Sequence, residues 1–192
     1  MRVIAGEARG RTLRAPHGLR TRPTSDLLRG AIFSMLDSMG CKPLRVLDLY
    51  AGSGALGIEA LSRGAQCADF VERGTAACAI IRTNLERTGF AGRGRVFCLP
   101  VVRSLERLTG PYDLIFLDPP YVDRSVEEVL ALPSAVLLLG KDSFLVYEHS
   151  RRDAPPQQLG IMTLLRTRSH GSSSVSFYFH TAESAGKGRA RD

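Results

Sequence analysis

Hydrophobic positions fall into short runs separated by stretches in which apolar residues recur at helical spacing. The runs are 45–50, 68–72, 95–99, 113–118 and 143–148, and the intervening segments 55–63, 75–88, 101–108 and 125–139 read as helices. Such β-α repetition predicts an α/β fold, a doubly wound, mostly parallel sheet covered on both faces. The rhythm then changes. Residues 161–168 and 173–180 are strand-like runs joined by a Ser/His/Gly turn with no helix between them, which predicts an antiparallel C-terminal hairpin and seven strands in all. Upstream, Leu28, Ile32, Phe33 and Leu36 mark one face of a helix that ends near Met39. Pro23 disfavours helix at Arg22, and Thr24 or Ser25 supplies the cap. Around residues 2–14 two short strands flank a glycine turn, a β-hairpin too small to hold a core alone. The expected organisation is therefore an N-terminal extension over 1–22, one α/β domain over 23–181 and a small, charged, disordered tail over 182–192.

Charge alters this picture more than composition does. The 192 residues carry a net charge of +7, which favours a polyanionic partner such as nucleic acid. Seven arginines lie in the first 30 residues, at 2, 9, 11, 14, 20, 22 and 29, against only Glu7 and Asp26. No apolar run approaches the ~20 residues a membrane helix needs, and the basic, Gly/Pro-interrupted N-terminus does not read as a signal peptide. Cys41, Cys67, Cys78 and Cys98 form no Cys-x-x-Cys pair. They read as free thiols in a reducing cytoplasm, with no metal site.

Two motifs carry the chemistry. In the first, Asp48-Leu-Tyr-Ala51-Gly52-Ser53-Gly54-Ala-Leu-Gly57, glycines follow the first strand and let the chain turn tightly while a ligand approaches the backbone. Glu72 ends the second strand, 20 residues after Gly52, where a carboxylate can accept hydrogen bonds from both hydroxyls of a ribose. This much fits an NAD-dependent oxidoreductase as well as any other nucleoside-binding enzyme. The second motif, Asp118-Pro119-Pro120-Tyr121, ends the fourth strand. Two prolines hold the chain extended and donate no backbone hydrogen bonds. An acceptor-rich site beside an aromatic face results, suited to a planar base that bears an amino group.

With these motifs, the chain resembles the 16S ribosomal RNA guanine-N2 methyltransferases. These lie within the amino-methyltransferases that share an Asp/Asn-Pro-Pro-aromatic motif. The resemblance runs from Arg2-Val-Ile-Ala-Gly6 through Arg22-Pro-Thr-x-Asp26, Asp48–Gly57 and Asp118–Tyr121 to Ser176-Phe-Tyr178. It implies a Rossmann-like methyltransferase fold and S-adenosyl-L-methionine as cofactor, bound by Asp48, Ala51, Gly52, Ser53, Gly54, Glu72 and Val101. Asp118, Pro119 and Tyr121 are implied as catalytic, and Arg9, Arg11, Arg22 and Tyr121 as substrate-binding. The implied partner is ribosomal RNA or a small-subunit assembly intermediate, met by a cytoplasmic monomer. Amino-methyltransferases of DNA adenine or cytosine, or of another RNA base, share the Asp-Pro-Pro-Tyr motif and remain the alternatives. Three positions depart from the family pattern: Gly30 in place of an acidic residue, His170 in place of Tyr, and Pro100 in place of the Asp or Asn that meets the cofactor's adenine. The last leaves adenine to the Val101 backbone.

Overall fold

The computed structural model describes residues 1–15, 25–119 and 126–180. The expected cap at Thr24, the Arg22-Pro23 break, Pro120, Tyr121 and the tail lie outside the described residues. Helix α1 (Asp26–Ser38) starts at Ser25, whose hydroxyl accepts a hydrogen bond from the Leu28 N–H at 3.2 Å. There follow β1 (Arg45–Leu49), α2 (Ala55–Ser62), β2 (Cys67–Glu72), α3 (Thr75–Thr88), β3 (Gly94–Cys98), α4 (Val101–Ser104) and β4 (Tyr112–Leu117). The chain continues through α5 (Val126–Ala131), α6 (Pro133–Val136), β5 (Leu139–Ser150), β6 (Gln158–Leu159), β7 (Met162–His170) and β8 (Ser173–Phe179).

The strands form one sheet in the order β3-β2-β1-β4-β5-β8-β7-β6, parallel through β5 and antiparallel beyond it. The expected seven strands are present, and the two-residue β6 adds an eighth at the edge. Alternation along each strand sorts the core into two layers. On one face Val46, Phe70, Phe116, Val146 and Phe177 pack under α1, α2 and α3. On the other Leu47, Val71, Ile115, Leu145 and Tyr178 pack under α4, α5 and α6. The single helix expected over 125–139 is two, because Pro133 has no N–H to continue α5 and opens α6 instead.

The N-terminal segment differs from expectation in its packing. It holds one isolated antiparallel bridge, Arg2 with Thr12, in place of two strands. It is not an appendage either: Val3, Ala8 and Leu13 are buried in the same core layer as α1–α3. Its backbone is anchored by a buried carboxylate. Glu59, fully buried on α2, accepts from the Ile4 N–H at 2.8 Å, the Ala5 N–H at 3.0 Å and Arg63 Nε at 2.9 Å. The fully buried Arg29 guanidinium lies beside it, Nε to Oε2 at 3.7 Å, and donates through Nη2 to the Arg2 carbonyl and Asp26. Hydrophobic pattern alone could not reveal this, because the anchor is polar and comes from residues about 25 to 55 positions away.

Breaking one half of a buried ion pair strands the other half's charge. Glu59→Ala is therefore expected to cost about 3–5 kcal/mol of folding stability. Urea denaturation of the variant against the parent checks this.

Candidate active site

Four neighbouring strand ends meet along one edge of the sheet. Leu49 of β1 lies opposite Val71 of β2 and Leu117 of β4, and Glu72 of β2 lies opposite Cys98 of β3. Val101, Glu72, Ala51–Gly54 and Asp118-Pro119 thus follow, or end, four adjacent strands that span about 14 Å at the usual strand spacing. A crevice outside the carboxyl ends of the strands is where open α/β sheets bind ligands.

The turn after β1 has a strained backbone. Tyr50, Gly52 and Gly54 adopt φ of 61°, 54° and 75°, a region that costs a non-glycine residue energy. The carboxylates predicted from sequence hold it in place. Glu72 accepts from the Gly52 N–H through Oε2 at 3.0 Å and from the Gly74 N–H through Oε1 at 2.8 Å. Asp48, almost fully buried, accepts from the Gly57 N–H at 2.9 Å and so pins the first turn of α2. Burial raises the Asp48 carboxyl from its usual range to about 7; the Gly57 N–H opposes the rise and the Glu72 charge adds to it.

The space around the glycines differs in kind. A Cβ on Gly52 would meet nothing nearer than the Tyr50 carbonyl at 4.0 Å, so this position is open to an approaching molecule. A Cβ on Gly57 would lie 2.4 Å from Phe70 Cε1, so this glycine serves the packing of α2 on β2. These residues fit a nucleoside cofactor: an open left-handed turn, a carboxylate with lone pairs to spare at the next strand end, and a buried carboxylate beneath.

The second motif lies beside this turn. Asp118 is half-buried and Pro119 buried at the end of β4, while Tyr121 is outside the described residues. Glu148, which sequence reading did not single out, stands one residue past the Tyr147–Leu117 pair and is therefore level with Asp118 on β5. Asn84 was missed as well. Fully buried on α3, it donates through Nδ2 to the Ser53 and Arg14 carbonyls at 2.9 and 3.0 Å and accepts from the Arg14 N–H at 2.8 Å. It ties the N-terminal segment to the glycine turn. Its one sequence signal is an Asn in the apolar stripe Ala77, Ile81, Leu85.

The predicted substrate residues are not all brought to this edge. The Gly6–Gly10 turn rests on the last residue of α2, with the Glu7 N–H donating to the Ser62 carbonyl at 2.8 Å. Arg11 Nη1 donates to the Arg87 carbonyl near the end of α3 at 2.7 Å. Both helices run back from the site, so Arg9 and Arg11 lie toward the opposite edge of the sheet. Arg22 falls outside the described residues. Among the described residues no group of His, Cys, Asp and Glu could hold a metal ion, and no helix is long and apolar enough to cross a membrane.

Comparison with known proteins gives the family. Residues 1–179 match the family described as Conserved hypothetical protein 95. The chain belongs to this family. It is similar to YlbH of Bacillus subtilis (strain 168), with 38% identity over 182 residues, 93% of this chain and 98% of that one. It is also similar to Ribosomal RNA small subunit methyltransferase D of Escherichia coli (strain K12), with 31% identity over 183 residues, 95% of this chain and 91% of that one. Among solved structures, yhhF from Escherichia coli superposes with a TM-score of 0.81 at 33% identity, covering 95% of this chain and 99% of that one. The family member described here is a methyltransferase.

Replacing a glycine inside a helix with alanine ordinarily gains about 1 kcal/mol. At Gly57 the opposite sign is expected, a loss of about 1–3 kcal/mol from overpacking against Phe70. Thermal or urea unfolding of Gly57→Ala measures it.

Proposed function

We propose that this methyltransferase acts on the exocyclic N2 amino group of a guanine in 16S ribosomal RNA, in the cytoplasm, as a monomer meeting the small subunit or its assembly intermediate. The observation that carries this reading is the Asp118-Pro119 end of β4 lying next to the Gly52/Glu72 turn. It is supported by the similarity to the E. coli protein named Ribosomal RNA small subunit methyltransferase D.

When bound, S-adenosylmethionine supplies a methyl group on a positively charged sulfur. In this reading Glu72 holds the ribose hydroxyls with the lone pairs its two backbone contacts leave free. Gly52, Gly54, Ala51 and Ser53 bring the backbone close to the methionine portion, Asp48 faces its ammonium directly or through water, and Val101 borders the adenine. A guanine amino nitrogen is a poor nucleophile because its lone pair is delocalised into the ring. Asp118 and the Pro119 carbonyl accept its two hydrogens, draw the nitrogen toward tetrahedral geometry and stabilise the positive charge that grows on it. No prior deprotonation is required; one of these protons leaves afterwards, through the Asp118 carboxylate to solvent. Tyr121 stacks on the extruded base. Arg9, Arg11 and Arg22 take RNA phosphates, Arg9 and Arg11 at a distance from the site.

Transfer of labelled methyl groups onto 16S ribosomal RNA or small subunits from cells lacking this enzyme, followed by nucleoside analysis, tests the substrate. Label in N2-methylguanosine is expected; label only in N6-methyladenosine would overturn the reading. Asp118→Ala is expected to lower kcat by about 10²–10³-fold while leaving the cofactor Kd nearly unchanged, because the contact strengthens only in the transition state.

Asp48 gives a pH test. A carboxyl raised in the folded state favours folding at low pH, and this contribution is lost as pH rises from the ordinary carboxylate range to about 7. An ammonium partner requires the charged form, so binding below that point must release a proton. Cofactor affinity is therefore expected to rise about 25-fold between pH about 5.5 and about 7.5, following the charged fraction of Asp48. Calorimetric titration of the parent and of Asp48→Asn checks this, with the variant expected to bind more weakly and to lose the dependence.

A further inference from the structure

The chain between residues 149 and 180 carries four arginines (Arg151, Arg152, Arg166 and Arg168) against one acid, Asp153. All four are exposed, and among the described residues none forms an ion pair. From sequence they are scattered over a loop and a strand. Two features of the fold gather them.

The first is the register irregularity in β7 between Leu164 and Arg166. Leu164 lies opposite Tyr178 and Arg166 opposite Phe177, so Leu165 is the extra residue of a bulge. Beyond it Arg166, Arg168 and His170 lie opposite Phe177, Val175 and Ser173, and share one face of the outer strand. That is the face covered further in by α1, since Val175 and Phe177 belong to the α1 layer. Arg166 and Arg168 are about 6.6 Å apart at the usual rise of a strand. The second feature is the start of the loop after β5. The Arg151 N–H donates to the Ser172 carbonyl at 2.9 Å, which brings Arg151 and Arg152 against the β7–β8 turn.

The register also fixes where this surface stands relative to the site. Arg168 lies opposite Val175 and Val175 opposite Glu148. Glu148 is one residue past the Tyr147–Leu117 pair, hence level with Asp118. Asp118, Glu148, Val175 and Arg168 thus form one row across four adjacent strands, with about 14 Å between its ends. A polyanion whose reacting base sits at Asp118 would carry phosphates a few nucleotides away along that row.

We propose that Arg151, Arg152, Arg166 and Arg168 form a phosphate-binding surface for single-stranded RNA flanking the target base. The proposal deepens the RNA reading given above and rests on it for the identity of the polyanion. It differs in assigning the close phosphate grip to the C-terminal hairpin, whereas Arg9 and Arg11 face the far edge.

The test compares Arg166→Ala/Arg168→Ala with Lys42→Ala/Lys141→Ala, which removes the same charge from exposed residues at the opposite edge of the sheet. Binding of the full chain to protein-free 16S ribosomal RNA is measured across a salt series, alongside cofactor affinity, thermal midpoint and methylation of small subunits. The arginine variant is expected to bind RNA about ten-fold more weakly, with the salt slope reduced by about 1.5 for two lost phosphate contacts. Its cofactor Kd and thermal midpoint are expected to stay unchanged, and the lysine variant to match the parent. Arg166→Lys/Arg168→Lys should keep most of the slope. Equal slopes for the arginine variant and the parent would overturn the proposal, as would equal losses from the two charge-matched pairs. Normal RNA binding with impaired methylation of assembled subunits would assign the surface to a ribosomal protein and also overturn it. If the parent enzyme methylates neither RNA nor subunits, the substrate reading fails, and the binding series still decides the surface.

Discussion

The Glu72 carboxylate joins two strand ends that would otherwise be loose. Each of its oxygens accepts a backbone N–H, from Gly52 on one side and Gly74 on the other. The turn after β1 and the entry to α3 are thereby fixed to the same side chain. The turn needs such a hold at Tyr50, a non-glycine residue at positive φ, a conformation that persists only when its surroundings impose it; Gly52 and Gly54 adopt positive φ freely. Asp48 secures the next step by accepting from Gly57, and Asn84 secures the outer side by donating to Ser53. Three polar side chains, from β1, β2 and α3, therefore hold the backbone of this loop in place.

The same economy governs the N-terminal segment. Fifteen residues with one isolated bridge have too few backbone bonds to stand alone, and a pair of short strands is marginal at best in water. They are held because Glu59, Ser62 and Asn84 answer their N–H groups while Val3, Ala8 and Leu13 complete the core. Arg14 and Ser53 share Asn84, so the segment also braces the glycine turn after β1 from behind. A basic composition alone suggests a mobile arm; the packing makes it part of the scaffold, with its exposed arginines carried on a fixed support.

Much of the site was legible in the sequence because it depends on local geometry. Gly52, Gly54 and Glu72 stand where a strand–turn–helix followed by a second strand must bring them, and parallel pairing of β1 with β2 leaves no other arrangement. Asp118-Pro119 follows from the fourth apolar run in the same way. Asn84 and Glu59 could not be found so. Each is a polar residue in a helix, and what makes it important is a backbone group of the N-terminal segment that only folding brings near.

By itself, the sequence determined the order of most elements, the helix-covered parallel sheet and the edge at which the two motifs meet. These follow from the period of the apolar residues and from glycine and proline, whose effects act on the chain immediately around them. The tertiary structure decided whatever depends on register and on distant partners. It turned the N-terminal segment into part of the core, split 125–139 at Pro133 and, through one extra residue at Leu165, put Arg166, Arg168 and His170 on the face of the sheet that α1 covers. A single residue of register exchanges the two faces of a strand, and no local pattern of side chains records on which strand, or where, that extra residue is accommodated.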